Sequence, residues 1–283
     1  ITAAALWGVL GPFSRMAFSE GVTPMEVAFW RASLAWVFFG SHALATRSIK
    51  MKLHDFPLVV LFAITGITLF YGSYQLAVRE GGAALAAVLL YTAPAWVALV
   101  ARFAFKEALT WKKILALTLT LAGVTAVAWG GQGVRVSASG LLYGLTAGFT
   151  YSLYYIFGKY FSLRYSSPNL FFYLLPIGAA TLFPWVDFAH KTPAAWTALM
   201  VIAVLCTYGA YFCYYQGVKL LEASRAAITA TLEPVVAAIV AFFWWGEAFG
   251  VSGYFGTVLI IIAVLMMVWE KPAKQMMMTR KGR

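Results

Sequence analysis

Charge is the scarcest thing in this chain. Of 283 residues only 11% are charged and ten are acidic, while 62% are hydrophobic; a soluble domain carries about 25% charged residues. A water-soluble domain of this composition is excluded. Catalytic equipment is equally thin. His42, His54 and His190 stand apart without ligand spacing, and there is neither a glycine-rich phosphate loop nor a buried carboxylate pair. No catalytic residue, metal or cofactor is therefore expected, ATP-driven pumping by this chain alone is excluded, and a membrane enzyme with an unrecognised site stays as a minor alternative. The two cysteines, Cys206 and Cys213, lie seven apart in one apolar run, share a helical face and cannot pair within that helix. The net charge of +11 does not read as a nucleic-acid surface, because the Lys and Arg sit in short breaks between apolar runs instead of on one solvated face.

What the chain has in abundance is long apolar runs, enough for an all-α integral membrane protein. Breaks at Gly, Pro and charge predict ten transmembrane helices, at about 1–19, 25–45, 56–78, 83–104, 111–130, 138–160, 167–187, 193–218, 223–245 and 249–269. The opening ITAAALWG lacks a methionine, so residue 1 is expected not to be the biological start, and the run reads as a first transmembrane helix, not a signal peptide. One set of connections, including Lys50, Lys112, Lys113, Lys159, Arg164 and the tail, carries 16 Lys and Arg, and the alternate set carries only Arg79, Arg135 and Lys191. Basic loops stay inside. Both termini are expected in the cytoplasm, as an even number of crossings requires.

The chain repeats itself. Trp7, Arg15 and Pro24 recur as Tyr151, Lys159 and Pro168, each displaced by 144; Tyr74-Gln75 recurs as Tyr215-Gln216, displaced by 141, and Pro94 and Glu107 recur as Pro234 and Glu247, displaced by 140. Helices 1 to 5 thus match helices 6 to 10. Because five is odd, the second copy must enter the membrane from the opposite side, which predicts inverted repeats over 1–130 and 138–269, a basic tail at 270–283, and a solute path between the halves near the midplane.

The Trp7-Gly8 pair, Arg31 in the second helix, the Pro94 to Glu107 spacing and the Leu232-Glu233-Pro234 to Glu247 element resemble the drug/metabolite transporter superfamily. Within it the chain resembles bacterial exporters built from two EamA-type domains, and looks most like aromatic amino-acid exporters. The resemblance implies a ten-helix inner-membrane carrier that exports amino acids or related metabolites through a central cavity. One departure stands out: Leu175 occupies the place where the second copy would repeat Arg31.

Of the ten acids only Glu233 falls near the bilayer centre, where a carboxylate is expensive and often functional. Its readings are stabilisation of a kink beside Pro234, contact with a substrate amine, and proton coupling. Tyr71, Tyr74, Tyr91, Tyr151, Tyr154, Tyr211 and Tyr215 offer polar-tipped rings at inner depths of four helices, and with Gln75, Trp7 and Glu233 they form the expected substrate lining; Tyr155 and Tyr208 read as belt or core packing. Arg31 is a candidate for a substrate carboxylate or for snorkelling and carbonyl contacts. Gly140, Gly144, Gly148 and Ser152, every four positions, predict close helix packing. The expected activity is export of amino acids, aromatic and other neutral ones, by alternating access. Lipophilic cations or drugs are the alternative cargo, and a non-transporting membrane subunit or channel is a minor alternative. The bilayer and a small-molecule substrate are the expected partners, without nucleic acid or ATP.

Overall fold

The computed structural model describes residues 1–129, 137–245 and 250–269, without the side chains at 75, 78, 79, 81–84, 87, 127–129, 238, 241, 242 and 245. Gln75, Arg79, Arg135, Glu247 and the basic tail at 270–283 therefore lie outside the described side chains. The chain is an all-helical bundle of ten spans in two inverted five-helix repeats. The first span is Thr2–Gly8 with Leu10–Ser19, the second Pro24–Ala45, the fifth Trp111–Trp129, the sixth Ala138–Ser162, the seventh Ser167–Leu182 and the tenth Val251–Trp269. In hydrocarbon every backbone group must be satisfied within the segment, so the helices begin on polar caps at the interfaces. Thr23 accepts from Glu26, Ser166 from Asn169 and Thr192 from Ala195, each with a proline in the first helical turn.

The third and eighth spans share an uncommon distortion. Phe56–Ala63 passes into a π-helical stretch, Ile64–Leu69, and Pro193–Val201 into another, Ile202–Gly209, before Ala210–Val218 completes the eighth span. Shifted by 140, the first stretch falls on 204–209, inside the second. The fourth and ninth spans are also broken at equivalent places. Turns at 91–92 and 231–232 precede Ala93–Ala104 and Glu233–Trp245, and in each turn a threonine hydroxyl returns to a carbonyl: Thr92 to Leu89 at 2.6 Å and Thr231 to Ile228 at 2.5 Å. Sequence reading predicted these two spans as continuous helices. Pro94 and Pro234 follow the turns by two or three residues, and a proline cannot supply the amide that would carry helical bonding back through them.

The reversal between the third and fourth spans lies within Phe70–Leu90. Contacts along the sixth span locate it. Phe70 stacks on Tyr151, Glu80 accepts from Ser137 and Ser139, and Leu89 returns to lie against Gly144 and Gly148.

Contacts between the halves interchange under the repeat. The first span packs on the eighth and ninth as the sixth packs on the third and fourth; the second packs on the seventh and the fifth on the tenth. A two-fold operation that exchanges antiparallel copies across a bilayer has its axis in the membrane plane.

Both ends of the bundle are tied between halves. At the end holding residue 1, Arg164 pairs with Asp55 at 3.0 Å and Tyr165 donates to Asp55 at 2.6 Å. Nearby, Lys113 pairs with Glu222 at 2.8 Å, while Glu107 accepts from the amide of Ala223 and the hydroxyl of Ser224 at 2.7 and 2.5 Å. At the other end Lys191 pairs with Glu26 and Thr192 donates to Glu20 at 2.6 Å. Several basic residues counted with the connections are structural plugs. Lys159 donates to the carbonyls of Val218 and Leu221, both at 2.6 Å, and buried Arg225 donates to Met267. They satisfy helix C-termini that the bilayer would otherwise strand.

Glycine governs the closest approaches. A Cβ added at Gly148 would stand 2.4 Å from the Leu89 carbonyl oxygen, and one at Gly8 would stand 2.7 Å from that of Glu233, whereas Gly11 meets nothing within 4 Å. Gly148→Val and Gly8→Val are each expected to lose about 1–3 kcal/mol through overpacking against backbone that cannot yield, with Gly11→Val near wild type. Thermal unfolding of detergent-extracted protein checks this; equal stability of all three variants would contradict the packing.

Candidate functional site

Arg31 stands two turns into the second span and is 7% exposed. Its partners come from the distorted eighth span. The π-helical stretch lets the Thr207 hydroxyl donate to the carbonyl of Ile202, five residues back, at 2.9 Å, which leaves the same oxygen free to accept from Arg31 Nε at 2.9 Å. One turn on, the Tyr211 hydroxyl accepts from Arg31 Nη2 at 3.1 Å. The Tyr211 ring is locked between Phe171 and Tyr154, with centroids at 5.0 and 5.3 Å, and the Trp7 ring meets it edge-on at 5.5 Å. The rings of Tyr71 and Tyr211 lie 5.7 and 5.8 Å from the guanidinium carbon, within cation–π range.

These residues enclose a cavity of about 10 Å³, room for about one water. Its lining consists of repeat-related partners. Arg31 and Leu175 are displaced by 144, Ile67 and Thr207 by 140, and Tyr71 and Tyr211 by 140, with Ala32 and Tyr154 completing the wall. A cavity lined by three such pairs sits on the pseudo-two-fold axis. Arg31 has five N–H donors, of which Thr207 and Tyr211 engage two, both through uncharged oxygens. Among the described residues neither Arg31 nor Glu233 belongs to an ion pair. The snorkelling and carbonyl-contact readings of Arg31 are thereby corrected: the side chain turns inward to two hydroxyls.

Glu233 is half-buried at the start of Glu233–Trp245, where the helix dipole favours a carboxylate. It is within electrostatic reach of Arg31, Tyr71, Tyr74, Tyr91, Tyr151 and Tyr155. Of the sequence-selected residues, Tyr71, Tyr154 and Tyr211 line the axial cavity with Arg31. Trp7 backs it, buried against Tyr211 and Tyr214, with its indole N–H unpartnered. Tyr151 stacks on Phe70 at 4.9 Å and accepts from Tyr155 at 3.0 Å; Tyr74 lies 6.5 Å from Phe70. Two residues are not among those that line the cavity. Tyr91 packs with Val124, Val235, Ile260 and Val264, and Tyr215 is buried against Phe171 with no partner for its hydroxyl. The Gln75 side chain lies outside the described residues. Sequence reasoning missed Thr207, because nothing in the stretch ILE-ALA-VAL-LEU-CYS-THR announces a π-turn, and missed Tyr214, which closes the ring cluster behind Trp7.

The EamA-like transporter family matches residues 1–129 and 138–269. The chain belongs to this family. Among relatives of this EamA-like transporter, an uncharacterized transporter of Archaeoglobus fulgidus is 26% identical over 272 residues, 96% of this chain and 95% of that one. A probable terminal-alkyne amino-acid exporter of Streptantibioticus cattleyicolor is 25% identical over 207 residues, 70% of this chain and 68% of that one. A crystal structure covering 94% of this chain and 93% of its own superposes with a TM-score of 0.82 at 17% identity, which shows the same fold.

A buried guanidinium with no carboxylate directly paired to it among the described residues is costly unless a ligand supplies one. In the EamA-like transporter, Arg31→Met is therefore expected to leave thermal stability equal or higher, while Thr207→Val, which strips a partner from the retained charge, should lose about 1–3 kcal/mol. Unfolding curves in detergent decide it; a strongly destabilised Arg31→Met protein would make the arginine a structural bolt.

Proposed function

We propose that this protein is a secondary carrier of the bacterial inner membrane that exports amino acids, aromatic and other neutral ones, by alternating access. The observation that carries this reading is Arg31, a permanent cation facing the axial cavity with donors to spare and no carboxylate paired to it. A guanidinium fork suits a carboxylate, which accepts two parallel N–H bonds. Glu233, near the same tyrosines, supplies the opposite charge for an amine. Tyr71, Tyr154 and Tyr211 provide the flat apolar faces on which a hydrophobic side chain rests, and Trp7 stiffens them from behind. The relative described as an amino-acid exporter accords with this cargo.

The described conformation is closed around the site, with space for about one water. Solute must therefore reach it by separation of the halves at one end. The ties at the two ends, Asp55 with Arg164 and Glu26 with Lys191, are what such opening would break in turn. The charge split of the connections directs the end that holds residue 1 toward the cytoplasm, so both termini lie inside.

Reconstitution into liposomes tests the function. Saturable, trans-stimulated counterflow of leucine and phenylalanine is expected, and Arg31→Gln should raise the apparent KM about tenfold or more through loss of a charge-assisted contact. Counterflow of a lipophilic cation such as tetraphenylphosphonium, with none of amino acids, would transfer the role of charge partner to Glu233 and replace this reading. Orientation has its own test. Cysteine at Ser48 should resist a membrane-impermeant thiol reagent in intact cells and label only after permeabilisation; ready labelling of sealed cells would reverse the topology.

A further inference from the structure

The axial cavity has two walls that are images of each other under the repeat. The second and eighth spans contribute Arg31, Thr207 and Tyr211; their counterparts, the seventh and third spans, contribute Leu175, Ile67 and Tyr71. The shape is symmetric and the chemistry is not. One wall carries a guanidinium and two hydroxyls joined by hydrogen bonds, and the other keeps the tyrosine, Tyr71, but has branched hydrocarbon, Leu175 and Ile67, where symmetry would place a second arginine and a second threonine.

We propose that Leu175 is a specificity-determining residue that restricts this site to solutes with a single carboxylate and an apolar flank. The proposal rests on the amino-acid reading of Arg31 and adds to it the reason for rejecting dicarboxylates. Leu175 is only 3% exposed, and the helix that carries it is fixed on either side of it. Pro176, inside the helix Ser167–Leu182, has no N–H for the Phe172 carbonyl, and the Trp36 indole of the second span donates to that carbonyl instead at 3.0 Å. One turn beyond, Gly178 lets Ile67 come so close that an added Cβ would stand 2.5 Å from Ile67 Cδ1. Leu175 and Ile67 thus present fixed hydrocarbon to the same cavity as Arg31. A solute whose carboxylate binds Arg31 lays its side chain on that hydrocarbon. A second carboxylate placed against Leu175 and Ile67 finds no charged donor there, with only the neutral hydroxyls of Tyr71 and Tyr154 in the same lining, and loses its water, a penalty larger than the gain from apolar contact.

The test uses the full-length protein in liposomes and reads competition by unlabelled leucine and glutamate against counterflow of radiolabelled leucine. Wild type should be inhibited by leucine and about tenfold or more less by glutamate. Leu175→Arg, which restores the repeat symmetry, should lower the ratio of inhibition constants, glutamate over leucine, about tenfold or more; Leu175→Gln, close in size, should lower it less but in the same direction, and it carries the test if the arginine variant is not monodisperse. Leu175→Ala, which removes bulk without adding a donor, should keep the wild-type ratio. Variants that all retain that ratio, an alanine variant that shifts it as far as the glutamine one, or a wild type that does not distinguish glutamate from leucine would each overturn the proposal while leaving amino-acid transport standing. Absence of leucine counterflow by wild type would overturn the amino-acid reading and this one with it.

Discussion

Each repeat crosses the membrane five times, and an odd number of crossings forces the two copies to run antiparallel. From this single constraint follows the axis in the membrane plane, and from the axis follows which surfaces meet there. The second span lies against the seventh, the third and eighth face the centre, and the fifth packs on the tenth. The distortions obey the same rule. π-Helical stretches appear in both central spans and helix breaks at both 91–92 and 231–232, so the places where backbone departs from regular α-geometry are paired around the middle of the bundle. Such departures free or redirect polar groups, which a bilayer tolerates only where protein encloses them.

On this symmetric frame the protein sets an asymmetric charge. Arg31 has no arginine counterpart, and Glu233 has Ala93 at the place 140 earlier. The cost of burying a guanidinium is offset in part by Thr207, Tyr211 and two aromatic faces. None of these carries a negative charge, and the residual deficit is what a carboxylate ligand would relieve. The same asymmetry makes one wall of the cavity polar and leaves its image with hydrocarbon at two of three places.

Much of the architecture was legible in the sequence because it depends on hydropathy and on punctuation. The ten spans follow from apolar runs too long for anything else, and the recurrences of Trp7, Arg15, Pro94 and Glu107 expose the duplication. Leu175, in place of a repeated arginine, is legible from the repeat alone. The site itself was only partly legible. Tyr71, Tyr154 and Tyr211 were selected by depth and face and line the cavity, while Tyr91 and Tyr215, selected with them, lie outside its lining, since helical spacing fixes a face but not what lies across from it. Thr207 was hidden because its role depends on a backbone hydrogen bond spanning five residues instead of four. Lys159, Arg225 and Lys113 were counted as loop charge, and only the fold shows them plugging helix ends or pairing with buried acids.

The central claim is that Arg31 receives the carboxylate of the solute. Equilibrium binding of radiolabelled leucine to the detergent-purified protein, competed by leucine and by leucinamide, tests it without reference to transport or orientation. Leucinamide keeps the side chain and the amine and lacks the carboxylate. The account predicts that it competes about tenfold or more weakly than leucine, the loss of a charge-assisted contact; competition by leucinamide equal to or stronger than that of leucine would contradict it.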